Sequence, residues 1–246
     1  TDPIARAGLP AQPDAARHTT GTMRHMSATV ITTATARDQS FGEEVANALS
    51  HGLGCLLAVA ALPVLVLNAA RHGGAADVVA ASLFAGTMIV LYLVSTLYHA
   101  LPPGRAKAWF NRLDHASIYL FIAGSYMPFL FGVLGGPWGW SLFGIVWAAA
   151  AVGVAAKLLD RLRHPYWSTG LYVAMGWVAL VAAVPLFERM SGPGLGWLVA
   201  GGLSYTAGAV VFLFDDKVRY AHFVWHLFVM GGSACHFCAA LWHSMA

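Results

Sequence analysis

Seven apolar runs, each long enough to cross a lipid bilayer, follow one another from residue 45 almost to the end of the chain. A helix needs roughly 20 mostly apolar residues to span the hydrocarbon layer. Runs near 45–70, 77–101, 114–134, 138–158, 168–187, 195–214 and 221–243 meet that length. The joints between them (RHGGAAD, PPGRAKAWFNR, GGP, DRLRHPYW, ERMSGPG and DDKVRY) are too short to hold a second domain. Backbone polar groups inside a bilayer must find partners within the protein, which leaves helices as the economical solution for such runs. The expectation is an all-α membrane protein whose residues 43–246 form one seven-transmembrane helix bundle. With 58% apolar and only 10% charged residues, an ordinary soluble domain is excluded.

Direction follows from Lys and Arg, which favour the cytoplasmic side of a membrane. Counting the joints alternately, one side receives Arg6, Arg17, Arg24, Arg37, Arg105, Lys107, Arg112, Lys157, Arg161, Arg163, Lys217 and Arg219; the other receives only Arg71 and Arg189. The split predicts a cytoplasmic N-terminus and a C-terminus outside. A net charge of +3 spread over short separate clusters is not the footprint of a nucleic-acid binder. Residues 1–42 are rich in Ala, Thr, Pro and Arg, show no helical apolar stripe, and read as a disordered cytoplasmic tail without a secretory signal. Met23 or Met26 is an alternative start. Cys55, Cys235 and Cys238 all lie inside apolar runs, where they act as small hydrophobes rather than a disulfide framework.

Ionisable groups within a membrane are expensive and point to function. The second run ends in STLYHALPP, with Ser95 and His99 four residues apart and so on one helix face. RLDH opens the third, with Asp114 expected in its first turn, and YAHFVWH opens the seventh, where His222 and His226 again share a face. All three places belong to the same membrane level. Two histidines at i, i+4 and a third from another helix make the ligand set of a catalytic zinc site, with a fourth position left for water. Each residue also has a plainer reading. Interfacial histidines cap helices or bond across bundles, Asp114 suits a helix N-terminus, and Ser95 suits a tight helix contact. Glu43, Asn47 and His51 form a further polar stripe at i, i+4, i+8 in the first run, read as a second shell or packing partner for the site. His236 and His243 lie about 15 and 25 Å beyond His226 along a helix and cannot join the same centre. The CHFC run at 235–238 has no partner that the sequence identifies.

Taken together, ExxxNxxxH (Glu43, Asn47, His51), SxxxH (Ser95, His99) with the following Asp114, and HxxxH (His222, His226) resemble the hemolysin III branch of the progestin and adiponectin receptor superfamily. The resemblance covers 43–243. It implies zinc bound by His99, His222 and His226, with Asp114 contacting the zinc-bound water and Ser95 close by. It also implies a link to hydrolysis of a ceramide-like amide bond and a place in a bacterial inner membrane. The expected reading is an intramembrane zinc-dependent lipid amide or ester hydrolase, with Asp114 and Ser95 as its catalytic residues and the bilayer and a lipid substrate as its partners. The alternatives are a membrane-damaging hemolysin or pore former, and a receptor-like regulator whose zinc is structural.

Overall fold

The structure is a computed structural model and describes residues 37–244, so most of the expected N-terminal tail, 1–36, lies outside the described residues. Eight α-helices occur in chain order: α1 (Phe41–His72), α2 (Ala75–Ala100), α3 (Arg105–Phe129), α4 (Gly136–Leu158), α5 (Pro165–Gly176), α6 (Ala183–Arg189), α7 (Gly192–Phe212) and α8 (Ala221–His243). A π-helical turn, Leu130–Leu134, prolongs α3, and a 3-10 stretch, Trp177–Ala182, joins α5 to α6 as one span. Among the described residues there are thus seven helical segments long and apolar enough to cross a membrane, as the hydropathy pattern predicts.

The largest departure from the sequence reading is at the third span. RAKAWFNRL is too polar to register as membrane, yet it is helical, so α3 begins at Arg105. Asp114 therefore sits nine residues inside α3 rather than in its first turn, roughly 13 Å along the axis at 1.5 Å per residue. A dipole interaction fades within the first turn, so the helix-terminus explanation of Asp114 falls away.

Local chemistry sets the helix ends. Ser40 caps α1 by accepting from the Glu43 N–H at 3.4 Å, while the Glu43 carboxylate accepts from the Ser40 N–H at 2.9 Å, the reciprocal arrangement that an S-x-x-E sequence encodes. Gly135 and Gly136 turn the chain from α3 into α4 at φ 57° and 47°, a left-handed conformation that only glycine adopts without strain.

The outer surface is apolar, and the interior combines an apolar core around Phe84, Leu91 and Val146 with a cluster of buried polar groups. Leu49, Leu56, Val152, Trp167 and Phe187 face outward, whereas Glu43, Asn47, His51, Ser95, His99 and Asp114 are buried. Close helix contacts depend on small residues, as is usual where lipid supplies no hydrophobic drive. A methyl group at Gly232 of α8 would meet the Tyr205 ring of α7 at 2.6 Å, and one at Gly208 of α7 would meet Phe228 Cβ at 2.7 Å.

The 3-10 break frees backbone groups that one side chain recovers. Tyr126 on α3 shares its one hydroxyl hydrogen between the carbonyls of Met175 (2.9 Å) and Gly176 (2.6 Å) and accepts from the Ala179 N–H (3.0 Å). Tyr126→Phe removes all three bonds at once and should destabilise the bundle by about 1–3 kcal/mol, the usual penalty for stranding buried polar groups. A lowered thermal midpoint in detergent would show it; an unchanged midpoint would mean that the break satisfies itself.

Candidate metal centre

His99 is one residue from the end of α2, and His222 and His226 occupy the first turns of α8, so their side chains converge at the end of the bundle where α1 begins. One potential ligand nitrogen from each lies within 4.8 Å of the others. The three residues are 3%, 9% and 1% exposed, so they are withdrawn from the protein surface.

The opposite ring nitrogen of each histidine is engaged. His99 Nδ1 lies 2.8 Å from Glu44 Oε2, and His222 Nδ1 lies 3.0 Å from Asp215 Oδ2. An ionised carboxylate only accepts, so both Nδ1 atoms carry the proton and both Nε2 atoms carry a lone pair. His226 Nδ1 lies 3.0 Å from Ser50 Oγ, whose single hydrogen is already given to the Asn47 carbonyl at 2.9 Å. With that hydrogen so placed, Ser50 accepts from His226 Nδ1–H, the tautomer that matches His99 and His222. Nε2 of His99 and Nε2 of His222 are buried without any hydrogen-bond partner, as is Nε2 of His51. Unpaired buried acceptors such as those of His99 and His222 cost about 1–3 kcal/mol each, and a cation between them would remove that penalty. Imidazoles presenting Nε2 while Nδ1–H is held by a carboxylate or hydroxyl are the usual form of a metal-ready histidine. The three residues fit a divalent ion.

His51 stands beside this group. Its ring stacks on that of His226 at 3.4 Å between centroids and 10° between planes, and its Nδ1 lies 2.7 Å from Ser95 Oγ. Asp114 lies beside Ser95. His51, Ser95, Asp114 and His226 together form the polar end of a cavity of about 650 Å³. The remaining wall is largely apolar and draws on α3, α4, the α5–α6 span and α7, with Phe121, Leu142, Phe187 and Val199 among its residues.

The side chains of Glu43 and Asn47 also bind chain around the start of α1. Glu43 pairs with Arg37 through two contacts, 2.7 and 2.8 Å, and accepts from the Tyr220 N–H at 2.8 Å. Asn47 donates to Gln39 Oε1 at 2.6 Å. Both tie the start of α1 to neighbouring chain. The groups that do orient the histidines, Glu44, Ser50 and Asp215, are not singled out by the sequence reading; the signal available was their polarity, within eight residues of His51 or His222 in sequence. His115 turns away to the Asn111 carbonyl at 2.8 Å, and His236 approaches the Leu198 carbonyl at 3.3 Å, so neither joins the cluster.

The sequence profile of the family described as "Haemolysin-III related" matches residues 39–237, which includes every residue of this site. The chain belongs to the haemolysin-III related family. Within it, the chain is 43% identical over 209 residues to Hemolysin-3 of Bacillus cereus, an alignment covering 85% of this chain and 95% of the relative. It is 40% identical over 201 residues to the Hemolysin-3 homolog of Bacillus subtilis, covering 82% and 94%. The likeness extends to the Monocyte to macrophage differentiation factor of Homo sapiens, at 28% over 208 residues, covering 81% and 83%. No solved structure matches the chain. As a haemolysin-III related protein with seven apolar helices, it is an integral membrane protein.

Proposed function

We propose that this chain is an intramembrane, zinc-dependent hydrolase of lipid amides, its histidine end facing the cytoplasm as the excess of Lys and Arg there favours. The observation that carries the reading is a set of three imidazoles whose ligand nitrogens converge within 4.8 Å, beside an apolar cavity whose polar end also holds a buried carboxylate and a hydroxyl. Neutral imidazole suits zinc, and three protein ligands rather than four are the mark of a catalytic site. When bound, zinc supplies Lewis-acid polarisation of a carbonyl and lowers the pKa of water towards about 7.

The rest is work for the chain. The cavity takes the acyl chain and sets the amide at the end lined by Ser95 and Asp114. An Asp114 oxygen accepts a proton from the attacking water as the new C–O bond forms, then returns it to the nitrogen as the C–N bond breaks. Ser95 Oγ, fixed against His51 at 2.7 Å, is placed to steady the oxygen on which charge develops. The products are a free acid and an amine.

The first test is metal content, measured by mass spectrometry on detergent-purified protein. About one zinc per chain is expected, lost in His99→Ala, His222→Ala and His226→Ala alike. Metal-free wild type with unaltered folding in the variants would remove the chemistry on which the hydrolase rests. A second reading comes from the relatives' name, Hemolysin-3, which speaks of lysis. Dye leakage from liposomes carrying zinc-free protein would favour direct membrane damage over damage by lipid products.

A further inference from the structure

We infer that Glu44 is a positioning residue for His99, held in that role by Lys107, and that its neighbour Glu43 has a separate structural task. The inference rests on the three-histidine metal reading above. Adjacent residues on a helix point about 100° apart, so two glutamates in the first turn of α1 serve different neighbours. Glu43 faces Arg37, Ser40 and Tyr220. Glu44 faces α2 and α3, with Oε2 at 2.8 Å from His99 Nδ1 and Oε1 at 3.0 Å from Lys107 Nζ.

Lys107 does more than balance the charge. Its ammonium also donates to the carbonyls of Tyr98 (3.0 Å) and Leu101 (3.2 Å) and lies 4.8 Å from the centre of the Tyr98 ring. Those carbonyls belong to the last turn of α2 and its cap, on either side of His99. One side chain at the start of α3 therefore fixes both the backbone that carries the imidazole and the carboxylate that orients it. The ammonium's three hydrogens are matched by three oxygens, so the geometry of Glu44 is over-determined rather than incidental. With Nδ1–H pinned, the Nε2 lone pair of His99 is aimed before any ion arrives, which raises affinity by removing the need to fix tautomer and ring orientation on binding.

The test is zinc affinity of the purified full chain in detergent, read by competition with a chromophoric chelator, together with the melting temperature of the metal-stripped protein. Glu44→Ala should weaken zinc binding about 100-fold and Glu44→Gln about 10-fold, since the amide oxygen still accepts from Nδ1–H but loses its charge and Lys107. Lys107→Met, with Glu44 intact, should weaken it in the same direction and by less. Metal-free melting should fall no further in these variants than in Asp160→Asn, which loses contacts to Arg112 and Arg163 at the same end of the bundle and whose left-handed backbone asparagine tolerates. Unchanged affinity in Glu44→Ala overturns the inference while leaving the metal reading intact. A weakened affinity matched by a collapse of metal-free stability makes Glu44 a structural residue and overturns it too. Failure of the wild type to bind zinc would remove the metal reading itself.

Discussion

Asp114→Asn is expected to keep its zinc and to lose about 10²–10⁴-fold in release of fatty acid from a ceramide-type substrate, the usual contribution of a positioned acid–base group. The substitution preserves shape and removes only the capacity to take a proton. Asp114 is 7% exposed, lies beside Ser95 at the cavity end, and is separate from the three histidines whose nitrogens converge. Retention of the ion is therefore part of the prediction. Assay in proteoliposomes, with metal content measured on the same preparation, separates the outcomes. Loss of zinc together with activity would make Asp114 a ligand and the site a closed, structural one. Full activity in the variant would remove Asp114 from the reaction.

The second large effect is expected at a residue with no functional group. Gly208 lies on α7 where α8 crosses it, and an added methyl would meet Phe228 Cβ at 2.7 Å and Trp225 Cε3 at 2.9 Å. Neither obstacle is the loose end of a flexible chain, so the two helices must part. Gly208→Leu should destabilise the bundle by about 3 kcal/mol or more, at the upper end of what overpacking a tight core costs. The strain falls on the same turns of α8 that carry His222 and His226, so metal affinity should fall with it. Gly144→Ala is the comparison, since a methyl there meets nothing within 4 Å and should leave folding unchanged. Fluorescence-detected size exclusion after a heating series reads both. A Gly208→Leu protein that melts with the wild type would show that the α7–α8 seam yields.

These two positions illustrate what a sequence can and cannot disclose. Hydropathy finds the seven spans because each must be apolar over a fixed length, whatever its neighbours. The i, i+4 pair His222 and His226 and the depth shared with His99 follow from helix geometry and topology alone. Asp114 is found as a candidate, but its place nine residues into α3 is hidden because the polar opening turns of that helix carry no membrane signal. Glu44 and Asp215 are harder still: which of two adjacent glutamates meets His99 depends on the rotation of α1, and Asp215 reaches His222 through the shape of a loop. The 3-10 break at 177–182 is equally silent, since its remedy, Tyr126, lies on another span.

The division of the site among helices bears on how the protein is made. Glu44 and Ser50 leave the ribosome with the first span, His99 with the second, and His222 and His226 only with the last. Glu44 and Ser50 are thus made long before most of the imidazoles, whereas Asp215 emerges only seven residues ahead of His222. With six spans inserted the chain offers a single nitrogen of the three, which is a poor trap for an ion. On the proposed metal reading, the centre is complete only once the final helix has packed against the first.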